Sequence, residues 1–138
     1  FLAVHAGCSF SEKNMPENCL APCREYINFA GCRFVTHPPR CPVSYQVVDG
    51  EHPVTAGVQD FCERDEHYQI EMTAPDARIL MESTSGSADR MPAAYVRQMG
   101  AGRLCALIPG HILAVWQNPQ FQKLLTNAIR WCMKKQEA

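Results

Sequence analysis

The sequence shows little charge excess, no long apolar run and no opening patterned as a secretory leader, and each absence argues against a class of function. Its 13 basic and 14 acidic side chains leave a formal net charge of −1, so nothing electrostatic points to nucleic acid or an anionic membrane as a partner. No apolar stretch approaches the ~20 residues that a membrane-spanning helix needs. The opening FLAVHAG is too short, and lacks the basic lead, of a signal peptide. Repeats and low-complexity segments are missing too. The chain therefore reads as one domain over residues 1–138, long enough for a real core, cytoplasmic, and suited to a small-molecule partner rather than to nucleic acid or membrane.

Cysteine is plentiful, with eight in 138 residues. What these cysteines lack is the small secreted setting of a disulfide scaffold. They also lack a second pair at metal-ligand spacing: Cys19 and Cys23 are close, but Cys32 and Cys41 are far apart. Reduced, mostly structural thiols are expected, with Cys105 and Cys132 on core faces as small hydrophobes. A structural zinc site is the alternative.

Hydrophobic patterning gives the elements. Leu2 to Val4 reads as a buried strand ending at His5, and Cys19 to Phe29 as a short helix after an irregular segment. Thr36 to Pro42 is extended, because Pro38, Pro39 and Pro42 disfavour helix. Val43 to Val48 alternates as a strand and Asp49-Gly50 turns it. His67 to Met72 and Arg78 to Ser83 read as strands, and Ser83 to Arg90 as a flexible polar connection. Ala93 to Gln98 is hairpinned through Gly100 to Arg103–Ile108, whose unbroken apolar run predicts burial on both faces. Asn118 then caps a helix begun by Pro119 and carried by Phe121, Leu124, Leu125, Ala128, Ile129 and Cys132. Arg97 and Arg103 flank the Gly100 turn and are expected at the surface.

Histidines are the main chemical resource. His5 ends the first strand and His111 follows the last one, the positions at which open α/β sheets build sites. Imidazole suits acid/base work near neutral pH or metal ligation. His37 is stiffened by two following prolines, which suits a positioned side chain, or it packs on them as a turn residue. His52 with Pro53 is suited to capping a turn. Asp65 and Glu66 are adjacent, so on a strand they face opposite ways and form no dyad. Glu66 is the one assigned to the pocket, and Tyr68 shares its face. Trp116 either stacks on a sugar or seats the final helix.

Three blocks resemble the ThuA family, named for trehalose utilisation. GAGRLCALIPGH, Trp116, Asn118-Pro119, Phe121 and Asn127 to Trp131 are similar to its "GKGRVFY…LGH…W.NP.F..L..NAIRW". EHPVTAG from Glu51, Phe61 and Asp65-Glu66-His67-Tyr68 are similar to "HPIT.GL..F...DE.Y". FLAVHAG with FVTHPP at Phe34 to Pro39 is similar to "GFVGIH…F..HP". The resemblance implies an α/β fold of the flavodoxin-like, class I glutamine-amidotransferase-like kind, a three-layer sandwich lacking its first strands and helices, because family members usually run a further strand–helix half before this point. The sheet edge left open there favours a homo-oligomer. Amidotransferases present a nucleophilic cysteine where His5 stands, so the resemblance implies no amidotransferase activity.

Two functions follow from that resemblance. One is an enzyme acting on a sugar or keto-sugar by acid/base chemistry, with His5 or His111 as base, Glu66 as acid or orienter, and His37, Tyr68 and Trp116 binding the carbohydrate. A divalent metal ion held by the His/Glu set would make the same chemistry metal-assisted. The other is a non-catalytic sugar-binding or assembly module on the same scaffold.

Overall fold

The computed structural model describes residues 1–13 and 15–134. Among the described residues, eight strands and three α-helices follow one another in the order β1 (Leu2–Val4), α1 (Glu17–Ala30), β2 (Cys32–Thr36), β3 (Cys41–Val47), β4 (Phe61–Asp65), β5 (Gln69–Met72), β6 (Arg78–Ser85), β7 (Ala88–Met99), β8 (Gly102–Leu107), α2 (Leu113–Gln117) and α3 (Pro119–Cys132). Six strands form one mixed sheet in the order β1-β8-β7-β6-β3-β4, and β2 pairs with β5 in a separate ribbon. Only β1 and β8 run parallel, Leu2 facing Cys105 and Val4 facing Leu107; the other pairs among the described residues are antiparallel.

Period-two alternation divides the core into two halves. On β8, Cys105 and Leu107 join Val43, Leu80, Phe121 and Leu124 on the face covered by α3. Leu104 and Ala106 point the other way, to Tyr68, Ile70 and Tyr95 under the β2–β5 ribbon. Three layers result, and the apolar run of β8 is buried on both faces as its sequence requires. Asn118 caps α3 by accepting from the Gln120 amide at 2.9 Å, and Phe121, Leu124 and Ala128 form the buried stripe. Ile129 has helical spacing but lies off that stripe and is exposed.

Several segments depart from their sequence-based expectation. Ser83 to Arg90 is no flexible connection: β6 runs on to Ser85 and β7 begins at Ala88, so these residues make the tip of a hairpin. Strands β2 and β4 lie in segments to which the sequence pattern assigns no element. The Arg97 guanidinium is largely covered, donating to the Asn28 and Phe29 carbonyls at 2.8 and 2.6 Å and pairing with Asp76. It thereby closes the orphan carbonyls at the end of α1. Arg103 lies over the Trp131 ring at 5.0 Å and donates to its carbonyl. All eight cysteines are free thiols.

His52 caps the turn at Pro53–Thr55, its Nδ1 accepting from the Val54 amide at 3.2 Å while its ring packs edge-on against Trp131. Burial, with help from the Arg78 charge, pushes its pKa below the ordinary 6.5. The folded state therefore binds fewer protons there than the unfolded chain below that value, and stability present at higher pH is lost as the pH falls through it. Urea midpoints at pH 7.5 and 5.5 should show a smaller loss on acidification in His52→Asn, which keeps a capping acceptor, than in the wild type.

Candidate functional site

The parallel pair carries the first half of the site at its C-terminal ends. β1 runs directly into a 3-10 turn, His5–Cys8. His5 opens this turn with φ of 44°, a left-handed conformation that a side chain rarely adopts and that costs about 1–3 kcal/mol. The strain aims a ring that is only 7% exposed across the strand ends. β8 runs into Pro109-Gly110-His111, where Gly110 takes φ of 133°. Trp116 and the His5 Cβ lie 3.4 and 3.5 Å from the place a Cβ on Gly110 would occupy.

The other half arrives from the far edge of the sheet. The sheet curls until the end of β4 meets the β8–α2 loop, and Asp65 fastens the closure. Its fully buried carboxylate accepts from the Gly110 amide, the His111 amide and the Tyr45 hydroxyl, each at 2.9 Å. Burial and the Asp65 charge push the Tyr45 phenol well above its ordinary range, so it stays a donor. Glu66, Asp65's neighbour, faces the opposite way, into the site.

Glu66 Oε2 is the point of convergence. His111 Nδ1 lies 3.2 Å from it, His5 Nε2 3.5 Å and His37 Nε2 3.7 Å. Arg40 Nε stands 3.7 Å from the other oxygen, Oε1. Tyr68 forms the wall, its ring 4.3 Å from that of His5, stacked on His37 at 5.9 Å and edge-on to Phe34. Burial and the Glu66 charge push its phenol pKa up to about 12. His67, between the two, turns away and bonds Ser83 and Ser85 at 3.0 and 2.8 Å.

The tautomers follow from the partners. His5 Nδ1 lies 2.9 Å from the Ile108 carbonyl, and His37 Nδ1 lies 2.8 Å from the Pro38 carbonyl. A carbonyl oxygen only accepts, so each Nδ1 carries a hydrogen, and each ring turns its Nε2, a lone pair in the neutral form, toward Glu66. The buried His5 Nε2 has no hydrogen-bond partner among the described residues.

The structure thus gathers His5, His37, Glu66, His111 and Tyr68, all of them singled out in the sequence. Trp116 stands beside them with part of its ring open, donating from Nε1 to the Gly110 carbonyl at 2.8 Å and packing edge-on to Phe121; it seats the loop on α3. Sequence reasoning missed Arg40, Phe34 and the fastening role of Asp65. The adjacency of Asp65 to Glu66 was the one available signal, since successive residues at a strand end face opposite ways. Three donor atoms, one each from His5, Glu66 and His111, lie within 4.8 Å of one another and could hold a metal ion.

A three-layer α/β fold with its polar cluster at the ends of the parallel strands is the class these features define. The model of the ThuA family, described as trehalose utilisation, matches residues 1–132, and the chain belongs to that family. A ThuA-like protein from Bacteroides uniformis superposes with a TM-score of 0.75 at 20% identity, over 99% of this chain and 59% of that one. A ThuA-like protein from Parabacteroides merdae gives 0.74 at 17% identity, over 99% and 62%. The cold-adapted β-galactosidase from Rahnella sp. R3 gives 0.65 at 16% identity, over 99% of this chain but 19% of that one. These likenesses are of fold, and the chain spans about three fifths of the two ThuA-like proteins. No curated protein matches it by sequence. Among the described residues no helix is long and apolar enough to cross a membrane.

Proposed function

We propose that this site removes a proton from the carbon next to a carbonyl in an oxidised sugar, a keto-sugar related to the disaccharide in the family's description. The observation that supports it is the set of imidazoles directed at one carboxylate oxygen, two of them with lone pairs fixed by backbone carbonyls. The base is His37: its ring is about a third exposed, whereas the His5 side chain is covered. The C–H electron pair moves to the carbonyl oxygen, giving an enolate. Re-formation of the carbonyl expels an oxygen from the next carbon, and the proton taken up by His37 goes to that oxygen. Glu66 orients the imidazoles, and Arg40 holds its outer oxygen.

The test is solvent exchange. The chain incubated in D2O with a keto-disaccharide should incorporate deuterium at the carbon beside the carbonyl, read by NMR, and should not do so with the unoxidised disaccharide. Binding of the keto-sugar without exchange would instead identify a non-catalytic sugar-binding module.

A further inference from the structure

We infer that His5 Nε2, Glu66 Oε2 and His111 Nδ1 form a binding site for one divalent first-row transition-metal cation of the zinc type, which deepens the reading above but is testable without any turnover. His5 Nδ1 bonds the Ile108 carbonyl at 2.9 Å, and its buried Nε2 points at a carboxylate oxygen 3.5 Å away with no hydrogen-bond partner among the described residues. In the neutral form of the ring these are two acceptors facing each other out of water, which is unfavourable, and a cation between them removes the conflict. His37 Nε2 faces the same oxygen at 3.7 Å.

The geometry fits a metal. Ligand bonds of about 2.0–2.2 Å put tetrahedral donors about 3.3–3.5 Å apart. The His5–Glu66 and His111–Glu66 separations are 3.5 and 3.2 Å, and all three donors lie within 4.8 Å of one another. A bond from the second ring nitrogen to a backbone carbonyl, as His5 makes, is the usual outer support of a ligating histidine. Arg40 stands nearest Oε1 and leaves Oε2 as a single ligand atom. Asp65 fixes the backbone on which His111 stands. Two imidazoles and one carboxylate suit zinc, iron(II) or cobalt(II) over magnesium or calcium. Three protein ligands leave a position open, and a substrate carbonyl oxygen bound there would be polarised while His37 stays free as the base.

The experiment titrates the chelator-stripped, reduced chain with Zn2+ by calorimetry and with Co2+ by visible absorption. One equivalent should bind per chain, with no thiolate-to-cobalt charge-transfer band. His111→Ala and Glu66→Gln should each weaken binding by about 100-fold or more, by analogy with the effect of lesser perturbations around metal sites, with far-UV circular dichroism unchanged. Cys19→Ser and Cys62→Ser, at exposed thiols, should bind as the wild type does. Failure to bind, affinity unchanged in both ligand variants, or binding lost in the cysteine variants would each overturn the site. Undiminished deuterium exchange by chelator-treated protein would also overturn the metal's part while leaving the proton-transfer reading intact. Stoichiometric binding without exchange would do the reverse.

Discussion

Replacing Asp65 with alanine should cost about 3 kcal/mol or more and should also dismantle the site. The carboxylate is fully buried and accepts from three donors that belong to two distant parts of the sheet. Its removal leaves the Tyr45 hydroxyl and two loop amides without their acceptor, and each such loss costs about 1–3 kcal/mol. Asp65→Asn keeps the shape but turns an NH2 group toward donors, so it should recover only part of the loss. The urea midpoint should fall in both variants, with alanine the worse. The loop freed in this way carries His111, so metal affinity and exchange should fall together with stability. A stable Asp65→Ala protein would show that the curl of the sheet is held by packing alone.

His37→Ala should lower the rate of deuterium exchange by about 10²–10⁴-fold, the usual contribution of a general base, with KM and the urea midpoint nearly unchanged. The ring is about a third exposed and is held by the neighbouring Pro38 carbonyl and stacking on Tyr68, so little packing goes with it. His37→Gln offers no base and should be equally slow. A fall in stability, or a change in KM alone, would show that His37 binds or packs and that the base lies elsewhere. His5→Ala is the less clean variant, because that imidazole is buried and bonded across the strand ends.

What could be read from the sequence was whatever depends on local period. The apolar run of β8, the Asn118-Pro119 helix start and the histidines at two strand ends are local signals, and all of them stand in the structure. Alternation also gave the opposite facing of Asp65 and Glu66. The misses are of two physical kinds. β4 is an edge strand whose FCERD sequence exposes charged side chains to water, and the Ser83–Arg90 hairpin tip is polar for the same reason. Both have the composition of loops. The curl of the sheet, by contrast, has no local signature at all: Tyr45, Asp65 and Gly110 meet only once six strands are paired. Arg40 meets Glu66 through the pairing of β3 with β4, which sets Cys41 opposite Asp65, whereas His5 and His111 reach Glu66 only through the closure.

A crystal structure of the chain, at a resolution that orients the imidazole rings, tests that convergence most directly. The expected result is His5, His37 and His111 gathered around one oxygen of Glu66, with Asp65 holding the Gly110–His111 amides. Rings directed into separate regions, or Glu66 turned out to solvent with Asp65 unbonded, would contradict the account and leave this fold without the site argued for it.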